Sequence, residues 1–355
     1  MRLSFYQTIG WLLLLGLIAC KKDKPNAPEP VLPESPHGVL VACEGSLGFG
    51  NAALTFFQEG QDPIPDVYKN ANGSTIGDVL QSVTQIGNRL FLCVNNSDKV
   101  LVIGAEDFKL QASISISKPR YILPVSDTRA YVSTLFSNRI FEINPATATV
   151  TDTLLLPVQN PEGMLLRGDE VFVCGWDTAS QLLYVLNTHT NTISRTITLA
   201  GKAPQAVVCD GEGMLWVLSG NNASGIPATW SRINPVSGEL LAAYYFPETA
   251  DPIRPAMNPA GDTLYWISVN QYGGVSNNGI YRMPVIAGSL PETPFIQAIA
   301  WQYFWALAID PATGYIYTGD PKGFTQKGSV QIYRQDGTLQ SSFETGVGPG
   351  HIYFQ

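Results

Sequence analysis

One unit recurs along this chain, and it constrains the fold more than any single residue does. The stretches KPRYILPVSDTRAYVS (118–133), NPEGMLLRGDEVFVCG (160–175) and APQAVVCDGEGMLWVLS (203–219) share one scheme. A Pro opens a short apolar run, a Gly/Asp turn follows, and a second run is rich in aromatic and β-branched residues. Looser copies are IRPAMNPAGDTLYWIS (253–268) and FWALAIDPATGYIYTG (304–319). Each copy continues through a third run and a turn to a fourth, as in RIFEINPATATVTDTLLL. Four strands at a period of roughly 40 to 50 residues is the pattern of a β-propeller blade. No long helical periodicity competes with it downstream of the N-terminal segment, so the chain reads as all-β.

Counting the second strands, VLVACE, LFLCVN, AYVS, VFVCG, LWVLS, LYWIS and YIYTG, gives seven four-stranded blades. The first blade has a defect, because HGVLVACEG begins directly as a second strand. The last segment, GPGHIYFQ (348–355), carries the Gly/Pro-plus-apolar signature that opens the other innermost strands. It is therefore expected to complete blade 1 and close the ring, leaving no free edge; the alternative is two frayed ends. His351 then becomes a structural or channel-lining residue.

The N-terminal segment reads differently. MRLSFYQTIGWLLLLGLIAC places one Arg before an apolar run from Ile9 to Ile18, too short to span a bilayer comfortably. LIAC resembles the lipobox of bacterial lipoproteins, which implies cleavage after residue 19 and lipidation of Cys20; the plainer reading is a secretory signal with a chance Cys. Residues 20–36 form a polar, Pro-rich tether of semi-rigid character. With Lys21 after Cys20, an Asp retention signal is missing, and an outer-membrane anchor facing the exterior is expected. The expected domains are thus 1–19 signal, 20–36 lipidated Cys and tether, and 37–355 propeller. Cys43, Cys93, Cys174 and Cys209 each sit in an apolar run and read as buried free thiols, although an exported chain with an even count also admits disulfides.

The two sets of loops differ in character. Those joining first to second and third to fourth strands are short turn motifs such as RGD, DGEG and NTHTNT, the last placing His189 in solvent. Those joining second to third strands are uneven, and with the blade-to-blade connections they gather aromatic and amide residues on one face. The candidate ligand-binding set there is Phe49, Asn51, Asn95, Asn96, Arg120, Phe136, Trp176, Asp177, Asn221, Trp230, Gln271, Tyr272, Trp301, Tyr303, Asp320 and Phe324, with Arg254 and Gln302 nearby. Rings give rigid apolar area and amides give adaptable donors and acceptors. The competing role for any one of the aromatics is a plug between blades.

Little else points to chemistry. A net charge of -8 without a basic cluster argues against nucleic acid. GSLGFG lacks the Lys and following helix of a phosphate loop, and HExxH, CxxC and GxSxG are missing from the sequence. Three His residues do not suggest a metal centre, and no metal or cofactor is expected. Glu44, Asp177 and Asp320 could approach a channel and hold calcium, as in propeller lactonases, but they share no spacing. The expectation is a binding protein without catalytic residues.

EGSLGFGNAALTFF, VNNSDKVLVIGAEDFK, KPRYILPVSDTRAYVS and NPEGMLLRGDEVFVCGW resemble the YncE-like seven-bladed surface lipoproteins of Gram-negative bacteria. That family includes corrinoid-capture proteins seated over TonB-dependent vitamin B12 transporters. The resemblance implies a corrinoid ligand, cobalamin or cobinamide, and a TonB-dependent outer-membrane transporter as partner. The alternatives are an adaptor for a glycan or protein and a calcium-dependent lactonase-type hydrolase.

Overall fold

The computed structural model describes residues 38–269 and 278–355. The segments assigned to signal and tether, Cys20, Gln271 and Tyr272 lie outside the described residues. The described strands form seven antiparallel sheets, six of four strands and one of three. Blade 1 comprises Pro349–Phe354, Val39–Cys43 and Ala53–Phe57. The innermost strands of blades 2 to 7 are Leu80–Ile86, Pro119–Ser126, Pro161–Arg167, Pro204–Cys209, Asp251–Met257 and Ala306–Ile309. Each innermost strand touches the next, and Pro349–Phe354 touches both Ala306–Ile309 and Leu80–Ile86, so the ring is closed.

A strand's place in its blade explains its composition. Second strands such as Arg89–Val94 and Glu170–Gly175 are buried along nearly their whole length because neighbouring blades cover both faces. They read as continuous apolar runs rather than alternating ones. The outermost strand Thr149–Leu155 faces solvent and is mostly exposed and polar. Three turns between third and fourth strands repeat one device. Asn144, Asn187 and Asn234 each accept, through Oδ1, backbone N–H groups two and three residues on, the turn chemistry read in NPATAT, NTHTNT and NPVSGE.

The seam of the ring pairs Val39 with Phe354, Leu40 with Tyr353, Val41 with Ile352 and Ala42 with His351. Gln355 N donates to Gly38 O at 2.9 Å, and Glu44 N donates to Gly348 O at 2.8 Å. The expected completion of blade 1 by the final segment is thus observed. Blade 1 departs from the expected four strands at its outer edge. Residues 58–66 contain Pro63 and Pro65, which cannot donate to a ladder. The fourth strand shrinks to a single bridge between Phe56 and Ile64, followed by a one-turn helix, Val67–Asn72, that buries Val67 and Tyr68.

Apolar side chains pack between adjacent blades. Between blades 5 and 6, Trp230 meets Trp216 edge-on at 6.3 Å and Trp266 at 6.1 Å, and it has no solvent exposure. Trp230 is therefore core, correcting its place in the candidate binding set: it falls in the strand Ile226–Ile233 and not in the preceding loop. Cys43, Cys93 and Cys174 are buried free thiols and Cys209 is half-buried. Burial pushes Cys43 and Cys93 up to about 12, which leaves them inert as nucleophiles.

Candidate functional site: the open end of the channel

A backbone device repeated in five blades builds the rim. Val79, Lys118, Asn160, Ala203 and Gly348, each just before an innermost strand, have φ of 59°, 47°, 51°, 56° and 68°. For the four that are not Gly, this left-handed conformation costs about 1–2 kcal/mol each. The turn re-aims the carbonyl of each residue toward the end of the neighbouring second strand. There it accepts the N–H of Asn95, Leu135, Trp176, Gly220 and Glu44 respectively, at 2.8–3.0 Å. Glu44, Asn95, Leu135 and Trp176 consequently stand at equivalent positions around the channel mouth, and all line the cavity.

One step further along the chain lies the channel belt. The second residue of the innermost strand is Gln81 in blade 2, Arg120 in blade 3, Glu162 in blade 4 and Gln205 in blade 5. In blade 1 it is Gly350, where an added Cβ would lie 2.3 Å from Glu44 Oε1; the carboxylate of Glu44 fills that place. Blade 6 contributes Arg254, set in a register shift between Ile253 and Ala256 with φ of 53°. It directly precedes Pro255, a position that disfavours helical-type backbone. Blade 7 contributes Trp305.

These groups form one hydrogen-bonded network across the channel. Arg120 Nε donates to Glu162 Oε1 at 3.0 Å, and Arg120 Nη1 donates to Gln81 Oε1. Gln81 Nε2 donates to the Tyr121 hydroxyl at 3.1 Å. Arg254 Nη1 reaches over from blade 6 to donate to the same hydroxyl at 2.5 Å. The Arg254 guanidinium also lies over the Trp305 ring, 5.3 Å from its centroid, and 3.9 Å from Glu44 Oε1, which accepts from Trp305 Nε1 at 2.8 Å. Burial is the largest influence and opposes the Arg120 charge, but Glu162, Tyr121 and Glu44 together outweigh it and hold the guanidinium protonated more firmly than usual. Burial, aided by Arg254, pushes His351 down to about 4, so its ring is neutral at physiological pH.

The cavity above and through this belt measures about 1270 Å³. One wall is aromatic: Tyr303 stacks on Trp305 at 5.9 Å, and Phe324 meets Trp305 edge-on at 5.6 Å. Further along the channel, Ile122, Leu123, Met164 and Val207 make the lining apolar. The charged lining residues balance, with Lys118, Arg120 and Arg254 against Glu44, Glu162 and Asp251. A flat, largely apolar molecule with polar groups at its edge suits such a space.

Of the candidate binding residues, Asn95, Asn96, Arg120, Phe136, Trp176, Asn221, Tyr303 and Phe324 line the cavity. Several of their amides also brace loops: Asn95 Nδ2 donates to Pro119 O at 3.2 Å, and Asn221 Oδ1 accepts from Ser224 N at 3.1 Å. Five others stand apart from the lining. Phe49 and Trp301 project into solvent, 79% and 90% exposed. Asn51 accepts from Ser46 N, Asp177 from Ala179 N and Asp320 from Lys322 N, each stabilising its own loop. Glu44, Asp177 and Asp320 do not converge, and among the described residues no group of three or more His, Cys, Asp or Glu is placed to hold a metal ion. Sequence reasoning passed over Gln81, Tyr121, Glu162, Gln205 and Trp305, although the residue following each blade-opening Pro was a legible signal for three belt positions.

The model of the family described as "Domain of unknown function (DUF5074)" matches residues 37–345. No curated protein matches the sequence significantly. Among solved structures, hydrazine synthase of Kuenenia stuttgartiensis superposes with a TM-score of 0.66 at 16% identity, over 78% of this chain and 92% of that one. A quinonprotein alcohol dehydrogenase-like protein of Bacteroides thetaiotaomicron superposes with a TM-score of 0.65 at 14% identity, over 89% of this chain and 78% of that one. At these identities the likeness is one of fold.

Proposed function

This chain belongs to the DUF5074 family, and for this member we propose a non-enzymatic role: a lipid-anchored surface propeller that binds a corrinoid at the open end of its channel and passes it to a TonB-dependent transporter. The observation that carries the ligand reading is the 1270 Å³ cavity with its Tyr303–Trp305–Phe324 wall and its rim of Asn and Gln side chains. A corrin ring is broad, flat and edged with carboxamides, so aromatic faces can cover it while amides pair with its rim. The resemblance to YncE-like surface lipoproteins supports the same ligand. The balanced lining charge accords with a ligand that is not strongly ionic, and the net charge of -8 with nucleic acid not being one.

Exposed apolar side chains crown the same face: Leu47 and Phe49 in blade 1, Phe136 in blade 3, and Ile299 and Trp301 between blades 6 and 7. Such a crown around a cavity mouth supports a protein partner that receives what the cavity holds. An adaptor for another protein draws on the same feature, and a transporter partner distinguishes itself by ligand-dependent capture.

Calorimetry with cyanocobalamin and cobinamide tests the ligand. Heat saturating at micromolar concentration or below is expected, and Trp176→Ala is expected to weaken binding roughly tenfold by removing one buried aromatic contact. No detectable heat at micromolar protein sinks the corrinoid reading. Cys20→Ala is expected to release the protein from the membrane fraction and abolish incorporation of labelled palmitate; retention at the membrane with unchanged labelling would remove Cys20 as the anchor.

A further inference from the structure

The belt contains one hydroxyl whose donor is unused. A tyrosine oxygen has one proton to give and can accept from two donors. Tyr121 accepts from Gln81 Nε2 at 3.1 Å and from Arg254 Nη1 at 2.5 Å, and among the described residues no group accepts its proton. Gln81 is 2% exposed and held by Arg120, so its amide cannot turn away. Arg254 is fixed by its positive φ before Pro255, by the Trp305 ring beneath it and by a 3.3 Å bond from Nε to Trp305 O. With both donors fixed, the remaining direction of the hydroxyl is set, and it lies in the cavity lining.

We propose that Tyr121 is the polar anchor of the cavity, donating its hydroxyl proton to an acceptor oxygen of the ligand, either a carboxamide carbonyl or a phosphate oxygen. Three features favour an acceptor over a donor on the ligand. A cationic donor pulling on the phenolic oxygen polarises its O–H and strengthens the bond that O–H makes. Of the three carboxylates in the lining, Glu162 already accepts from Arg120 and Glu44 from Trp305, so the ligand meets no wholly unpaired acceptor at either. The backbone at Arg254 is held in a sparsely populated conformation, a form of strain that accompanies fixed binding geometry. The orientation is thus set before the ligand arrives, so little ordering is left to oppose binding.

The proposal rests on the cavity being the ligand site, as proposed above, and one experiment separates the two. Protein labelled with [13Cζ]tyrosine is titrated with cyanocobalamin, cobinamide, inorganic phosphate and acetamide, and Tyr121→Phe assigns the Tyr121 signal. A saturable shift of that signal is expected, with affinity for the bound corrinoid falling roughly tenfold in Tyr121→Phe, while the loss of an acceptor for Gln81 and Arg254 lowers the melting temperature by only a few degrees and leaves the variant folded at the titration temperature. Arg254→Lys is expected to weaken binding similarly, since an ammonium lacks the fork that spans Tyr121, Trp305 and Glu44. Loss for cyanocobalamin alone identifies a phosphate oxygen, because cobinamide carries none; loss for both identifies a carboxamide carbonyl. If the wild type binds corrinoids and Tyr121→Phe binds them equally well, the anchor is overturned and the corrinoid reading stands. If corrinoids do not bind but phosphate or acetamide shifts Tyr121, the corrinoid reading falls and the anchor stands. No shift with any of the four probes overturns the anchor.

Discussion

Removing residues 349–355 is expected to open the ring and lower the melting temperature by roughly 10–20 °C, or to prevent cooperative folding altogether. The deletion strips Val39–Cys43 of its inner partner and leaves a row of backbone N–H and C=O groups unpaired beside the channel. It removes Ile352, 7% exposed, and the Phe354 ring that meets Tyr317 edge-on at 5.1 Å. It also removes the innermost strand that joins the innermost strands of blade 7 and blade 2 along the channel, so the cost exceeds that of one buried side chain, on the order of 5 kcal/mol. A permuted chain provides the control. Gln355 N lies 2.9 Å from Gly38 O, so residues 348–355 can be moved ahead of Gly38 through a short turn. That permutant should melt near the wild-type temperature. An unchanged melt in the deletion itself would show that the seam does not hold the ring.

The fold was legible because its signals are local and repeated. Every innermost strand of blades 3, 4 and 5 opens on an X-Pro step, and most second strands carry an apolar run, so neither needs long-range information. The missing strand of blade 1 and its donor could be matched because GPGH carries the same opening signature. What failed was the outer edge of blade 1: Pro63 and Pro65 argued against a fourth strand there, but the repeat was extended over them.

The site was legible only as a face. Loop composition located Trp176, Tyr303 and Phe324, whose rings do reach the cavity, but it could not separate them from Phe49 and Trp301, which point to solvent. It also placed Trp230 in a loop when the strand had already begun. Arg120 was among the candidates, but Gln81, Tyr121, Glu162 and Gln205 were missed because they lie in strands, where side-chain direction follows register and a single bulge re-aims it. Arg254 reaches the channel through the shift between Ile253 and Ala256, and no spacing rule predicts that its guanidinium meets Tyr121, 133 residues away.

Register also places His351 where its protonation state bears on stability. The ring is paired across from Ala42, sits 6.2 Å from the Tyr121 ring, receives Val83 N–H at 3.5 Å on Nδ1, and lies close enough to Arg254 to feel its charge. Burial first and Arg254 second push it down from 6.5 to about 4. Between those values the unfolded chain binds a proton that the folded chain refuses, so stability rises with pH across that interval. The contribution is complete above about pH 6.5 and lost as pH falls toward 4, amounting to on the order of 3 kcal/mol. Urea denaturation from pH 7 to pH 4.5 should show this decline in the wild type and a much flatter profile in His351→Gln, which keeps a polar group near Val83 without a titrating ring. Equal slopes in the two proteins would assign the decline to other groups. Since a charged His351 would sit beside Arg254 and repel it, ligand affinity should hold down to about pH 5 and fall only as pH approaches the folded value of about 4, where Tyr121 would lose the donor that orients it.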